Sequence, residues 1–389
     1  MNYQTSRLSN SNCPSQNCPP PIAFLTFQKQ TLRFSLKANY YLCAPMAKKG
    51  VLLVNLGTPD SPETKDVRKY LDEFLMDPRV IDINPVSRTL LVKGVIVPFR
   101  SPKSAKLYKE IWSKETGSPL LHFSKLQQQL LQERLGEGYM VELAMRYQSP
   151  SILSALEKMK DALVESIQVI ALFPQYASAS TGSVFEKVME VVGKWATVPT
   201  ISFVNSFHDN ELMIGTFADN GRKYAPETYD HILFSFHGLP QRQLIKCDHT
   251  GNYCLKKDGC CDTLNDVNKF CYSAQSHHTA QLIAAKLNIP KEKYTICFQS
   301  RLGKDPWVQP YTSEVVAKLA AEGKKRLLVF CPAFVADCLE TVYEVTEEYG
   351  GEFKALGGEH VQLVESLNDA STWIDALEKM VTGEVKGKR

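Results

Sequence analysis

No part of the chain approaches the run of about 18 apolar residues that a membrane-spanning helix requires, so no segment is read as crossing a bilayer. Nor does one sign of charge dominate. The 45 lysines and arginines stand against 42 aspartates and glutamates, a balance that argues against nucleic-acid binding. Neither a GxGxxG fingerprint nor a Walker spacing occurs, so no nucleotide cofactor is expected. The 11 cysteines include no CxxC pair, which sets aside the common zinc-ribbon spacing. A secretory apolar core is also missing, so the thiols are read as reduced or metal-bound rather than as a disulfide framework.

The first 45 residues lack acidic side chains altogether and are rich in Ser, Asn, Gln and Pro, with Arg7, Lys29, Arg33 and Lys37. That composition suits an organelle transit peptide. Met46, succeeded at once by AKKGVLLVNLGTP, looks equally like a natural chain start, with residues 1–46 as an upstream mis-start. On either reading this leader is expected to be disordered and outside the chemistry.

From residue 50 onward the pattern is that of an α/β chain. Short apolar runs at 51–57, 140–147, 166–174, 231–236, 294–300 and 325–334 read as buried parallel strands. Amphipathic stretches between them read as helices near 62–76, 102–114, 122–136, 151–163, 181–194, 209–223, 273–287, 312–322, 338–349 and 370–382. The expectation is two doubly wound, Rossmann-like halves with parallel sheets. The first half spans 47–210 and takes back a last helix at 369–383, and the second spans 211–368 with a cysteine-rich insertion at 247–271. No internal repeat is evident.

In such sheets chemistry gathers beyond the carboxyl ends of the strands. His237 ends HILFSF on a Gly-Pro turn, where an imidazole can accept a proton or bind metal. Glu340, Glu344 and Glu348 recur every four residues, so a helix stacks three carboxylates on one face with no basic partner, opposite Val342, Val345 and Tyr349. Such a face suits a divalent ion or departing protons, or else is an ordinary solvated one. QYASASTGSVFEK opens a helix with Ser180 to Ser183, either an anion site or plain N-capping. PVSRTLLVKGVIVPFR, residues 85–100, is a buried helix or an exposed apolar lip. Cys247, Cys254, Cys260, Cys261 and Cys271 crowd a polar insertion that a thiolate-bound zinc ion or iron–sulfur cluster could organise. Four of the five suffice, and the adjacent Cys260 and Cys261 are not expected to share one ion. Cys247, Cys254, Cys260 and Cys271 are the expected ligands.

LLVNLGTP, FRSPKSAKLY, TGSP, RYQSP, FPQYASASTGS, SFHGLP, FQSRLGKDPW and DCLETVYE, in that order, resemble the ferrochelatase family from about residue 50 to 383. The resemblance implies the class II chelatase fold, a lyase that inserts ferrous iron into protoporphyrin IX in the last step of heme synthesis, and no cofactor needed for the chemistry. By similarity His237 and Glu340 face one another across the ring and handle protons and iron, with Glu344 and Glu348 as an outward relay. Arg146, Tyr147, Tyr176, Ser180, Gln299 and Trp307 match positions that shape the pocket, and Arg100 and Ser118 match groups near the propionates. The 85–100 stretch corresponds to the family's apolar lip, which implies a peripheral membrane contact; a homodimer is also within the family's range. Cytoplasmic placement is implied unless the leader is a transit peptide, and the cysteine insertion resembles that of some bacterial members. Cys338 stands where many members have histidine, and the C-terminus, EVKGKR, lacks the cysteines of vertebrate-type enzymes. The alternatives are a coproporphyrin ferrochelatase, a cobalt chelatase of corrin synthesis, and a non-catalytic porphyrin or heme carrier.

Overall fold

Two four-stranded parallel sheets carry the chain, each with central strands buried on both faces, as helix-covered parallel sheets require. The computed structural model describes residues 48–383 apart from 302 and 304. The leader at 1–46, with Cys13, Cys18 and Cys43, lies outside the described residues, as does the terminal EVKGKR.

The first sheet contains β1 (Lys49–Gly57), β2 (Tyr139–Tyr147), β3 (Ser166–Ala171) and β4 (Thr200–Val204), in the order β2-β1-β3-β4. Between β1 and β2 run α1 (Thr64–Met76), α2 (Pro85–Leu91), α3 (Val97–Ile111) and α4 (Pro119–Leu135). Helices α5 (Ile152–Asp161) and α6 (Ser183–Val192) come after β2 and β3, and α7 (Glu211–Arg222) leads to the second sheet. That sheet holds β5 (His231–His237), β6 (Tyr294–Gln299), β7 (Arg326–Phe330) and β8 (His360–Leu363), in the order β6-β5-β7-β8. Helices α8 (Gln241–Ile245) and α9 (Tyr272–Lys286) precede β6, α10 (Thr312–Ala321) precedes β7, and α11 (Gly350–Ala355) and α12 (Ser371–Thr382) flank β8.

The two sheets share one winding order, a repeat of topology that the side chains do not display. In each, the direction of winding reverses beside the first strand, at β1/β3 and at β5/β7, which opens a crevice beyond the strand ends. The strands β4 and β8 were not expected from the sequence. TISFV and HVQL are short edge strands with half-exposed side chains, so neither shows the continuous apolar run that marks the buried ones. The run expected at 325–334 is strand only to Phe330, after which the chain turns toward the crevice.

A continuous core joins β1, β2, β5, β6 and β7 to α7, α9 and α12. Trp373 of α12 is fully buried against Phe207, with ring centroids 5.7 Å apart, and the helix packs on α4 and α7. Gly221 of α7 shows why a residue without a side chain stands there: a Cβ would lie 2.4 Å from Cζ of Phe330.

Three segments wind as π-helix: Val92–Ile96, Ser178–Gly182 and Leu339–Tyr349. The last corrects the expectation of an ordinary helix over 338–349. Its acids at 340, 344 and 348 and its buried Thr341, Val345 and Tyr349 both recur every four residues. That period exceeds 3.6 and accords with the wider i→i+5 winding, which tends to occur at functional sites.

Candidate active site

The strand ends of both sheets and all three π segments border one cleft of about 590 Å³. Asn55 to Thr58 come from the end of β1, Leu172, Phe173, Gln175, Ala177, Ala179 and Ser180 from the loop after β3, and His237 to Pro240 with Arg242 and Gln243 from the end of β5 and the turn beyond it. Ser300 and Trp307 come after β6, and Ala333 to Ala336, Cys338 to Glu340 and Glu344 after β7. Val, Leu, Ile and Phe side chains supply most of the remaining wall, including Phe74, Ile81, Leu91 and Ile96.

His237 terminates β5 because the next residue must be small: a Cβ on Gly238 would meet the Gln299 carbonyl at 2.8 Å and Trp307 at 3.1 Å. The Nδ1 of His237 lies 2.8 Å from the carbonyl of Gly238. A carbonyl only accepts, so Nδ1 carries the proton and Nε2 is left as an acceptor. Burial pushes this imidazole down toward its neutral form, against the opposing pull of Glu340. The Tyr272 hydroxyl, at the start of α9, donates to the His237 carbonyl at 2.8 Å and pins the strand end.

Glu340 and Glu344 line the cleft, and Glu348 lies further out on the exposed part of the segment. Glu344 is pushed up to about 8, chiefly by burial and then by the nearby Glu340. Its carboxylate accepts from Ser300 Oγ at 2.6 Å and Gln299 Nε2 at 3.0 Å. The same Gln299 Nε2 donates to the Glu340 carbonyl at 2.7 Å, while Ser235 Oγ donates to Gln299 Oε1. Gln299 therefore buttresses the carboxylates from behind and is not among the lining residues. Burial, then the charge of Glu352, raises Glu348.

Cys338 also lines the cleft. Burial first, with Glu340 beside it, holds its thiol well above the ordinary range, so it stays protonated. Its backbone N–H donates to Thr341 Oγ1 at 3.0 Å where the π segment begins.

Arg100, Ser118, Ser180 and Trp307 face the cleft. Arg100 is exposed at its mouth, whereas Ser118 is buried and accepts from Thr58 Oγ1 at 2.9 Å. The Trp307 ring stands 6.5 Å from that of His237. Arg146, Tyr147 and Tyr176 are not brought to the lining. Instead Arg146 pairs with Asp77 at 2.7 Å, and Tyr147 OH and Ser183 Oγ donate to the same carboxylate oxygen. Tyr176 is held by its backbone N–H to Gln275 Oε1.

Four residues were not singled out from the sequence. Asp77 organises that ionic knot, Tyr272 holds His237, and Tyr70 and Tyr108 line the cleft near Glu340. Burial above all raises both of these phenols. All three tyrosines occupy apolar helix faces, where a tyrosine reads as ordinary core. Asp77 comes directly after α1 as a single acid with no spacing to mark it.

The stretch 85–100 is helical throughout, with Val92 and Val97 buried and Ile96 and Leu91 toward the cleft. Val86, Leu90, Val95 and Phe99 project outward at 68%, 68%, 53% and 74% exposure. It is a lip with a buried underside. Among the described residues no helix is long and apolar enough to cross a membrane.

In the cysteine-rich segment the neighbouring thiols of Cys254 and Cys261 hold Cys271 below the ordinary thiol range, while Cys261 Sγ itself lies 3.3 Å from Ser273 Oγ. Cys260 Sγ lies 3.8 Å from Cys261 Sγ, and Cys247, raised by burial, senses Cys271. Among the described residues no group of three or more His, Cys, Asp or Glu is arranged around a single metal ion.

A family model described as Ferrochelatase matches residues 48–385. A relative named Ferrochelatase from Legionella pneumophila (strain Corby) is 42% identical over 340 residues, covering 87% of this chain and all of that protein. Another of that name, from Coxiella burnetii (strain Dugway 5J108-111), is 41% identical over 333 residues, 86% of this chain and 93% of its own length. Among solved structures, SirB from Bacillus subtilis with Fe3+ aligns over 86% of this chain and 94% of that one, at 13% identity and a TM-score of 0.45.

Proposed function

The chain belongs to the ferrochelatase family, and on that premise we propose that His237 and Glu340 work on opposite sides of a protoporphyrin IX ring held in the cleft. The enzyme is a porphyrin metal chelatase, a lyase that inserts iron into a porphyrin for heme synthesis. Ferrous iron is its substrate. As the ion enters, the porphyrin releases two pyrrole protons, so a base and an outward path for protons are needed.

The carrying observation is that a neutral imidazole with a free Nε2 shares one cleft with a ladder of carboxylates. His237 accepts a pyrrole proton, and Glu340 stabilises the imidazolium so formed. Glu344, which keeps its proton near neutrality, and the outer Glu348 pass protons or metal between the cleft and solvent. Ser180 and Trp307 shape the ring's seat, with Arg100 and Ser118 toward the propionates. Arg146, Tyr147, Tyr176 and Gln299 act from behind the wall, as positioning residues.

A porphyrin with two carboxylates suits this cleft better than one with four. The apolar lip favours vinyl edges, and its outward side chains favour seating on a membrane surface. Anaerobic assays with ferrous ion should show faster absorbance change on metalation for protoporphyrin than for coproporphyrin. Faster coproporphyrin turnover, or cobaltous ion metalating a corrin precursor in preference, would overturn the substrate assignment.

Five cysteines crowded in one polar segment suit an iron–sulfur cluster or zinc held by Cys247, Cys254, Cys271 and one of the adjacent pair Cys260 and Cys261. Of that pair, Cys261 stands against Cys271. Such a group would brace the polar segment beside Tyr272. Iron with acid-labile sulfide, or zinc, in anaerobically purified protein is the expected result; absence of all three removes the assignment.

A further inference from the structure

Where the loop after β4 meets α9, apart from the cleft and the cysteines, two imidazoles lie together without hydrogen-bond partners. His208 is 7% exposed, and neither of its ring nitrogens is bonded; Nδ1 of His278 is also buried and unbonded. The ring centroids stand 5.4 Å apart. Buried polar atoms are almost always satisfied, and leaving one unsatisfied carries its full desolvation penalty. One unbonded nitrogen from each ring can take a ligand between them, and the other His208 nitrogen carries that ring's proton.

We propose that His208 and His278 form a binding site for a divalent transition-metal ion of the imidazole-preferring class, such as zinc or nickel. With metal–nitrogen bonds of about 2 Å, two imidazoles sharing an ion place their centroids roughly 5 Å apart, close to the separation seen. Neutral imidazole is the ligating form, and burial drives His208 toward it. The backbone that presents the first ring is fixed. Thr279 Oγ1 donates to the His208 carbonyl at 2.7 Å and accepts from Gln175 Nε2 at 3.0 Å. Half-buried His278 and exposed Asp209 give the ion a route from solvent. No third protein ligand joins the pair among the described residues, so water completes the coordination and the ion is exchangeable. Occupation ties the loop leaving the first sheet to a helix of the second.

Equilibrium dialysis of the full chain against nickel, compared with His208→Gln and His278→Gln, tests this. The cleft and the cysteines are unchanged in the wild type, the two single variants and the double variant, so their binding cancels. The wild type should hold one more ion than either variant, and the double variant should lose no more than a single one. Nickel should also raise the wild-type unfolding midpoint more than that of the variants. Equal stoichiometry in wild type and variants would overturn the site, as would independent loss of one ion per histidine. If His208→Gln fails to fold, His278→Gln at the half-buried position decides alone.

Discussion

His237→Ala should lower iron insertion into protoporphyrin by on the order of 10²- to 10⁴-fold, the range typical for loss of a positioned general base. Porphyrin binding, monitored by fluorescence quenching, should change far less. Nδ1 is engaged with the Gly238 carbonyl, which leaves Nε2 as the acceptor of a ring that lines the cleft, and alanine removes that acceptor without disturbing the apolar wall. The loss should fall on kcat rather than KM, because the ring is seated mainly by other residues. Folding is a separable question. Tyr272 holds the backbone of residue 237 rather than its ring, so the thermal midpoint of the variant should stay close to wild type. Retained turnover would remove His237 from the mechanism, and collapse of porphyrin binding would recast it as a seat for the ring.

Glu344→Gln should stabilise the protein most at alkaline pH, while turnover falls. The carboxyl of Glu344 is raised to about 8 in the folded chain from an ordinary value of 4.5, by burial and by Glu340. Below the ordinary value both folded and unfolded chains carry the proton, and the group makes no difference. Between the two values the unfolded chain ionises while the folded one holds its proton, so stability declines as pH rises. Above the folded value the whole penalty is present, on the order of a few kcal/mol. Glutamine cannot ionise, yet it can still meet Ser300 and Gln299. Urea unfolding at pH 5 and pH 9 should therefore show near-equal stabilities at the acid end and a more stable variant at the alkaline end. A variant less stable at pH 9 than wild type would mean that an ionised Glu344 is supported by its neighbours. Glu340, Glu348 and Tyr349 also face this position, so the profile should be compared with Glu348→Gln, whose exposed carboxylate should have a smaller effect.

The strands that carry the site were legible because they are buried on both faces. β1, β2, β3, β5, β6 and β7 each show a mainly apolar run with at most one or two polar residues inside it, and helices succeed them at the expected intervals. The strand-end rule then singled out His237 without any knowledge of the partner strand. The edge strands β4 and β8 stayed hidden because half of each faces solvent. The acidic ladder was visible as a period of four, but its winding was not. An α-helix and a π-helix both bring such residues near one face, and only the observed backbone separates them.

Position along the chain by itself determined the candidate chemistry here: a histidine at a strand end, an acid every four residues, a crowd of thiols and an acid-free leader. Those are local properties, carried by residue type and spacing. Tertiary structure alone decided which candidates meet. It brought Arg100, Ser118, Ser180 and Trp307 to the cleft, withdrew Arg146, Tyr147, Tyr176 and Gln299 behind its wall, and recruited Asp77, Tyr70, Tyr108 and Tyr272. It also gave the two sheets one winding order and set His208 against His278 across 70 residues of chain. The reason is physical: spacing governs what neighbours along a helix or strand can do, whereas burial, desolvation and pairing between distant segments exist only once the sheets have closed on one core.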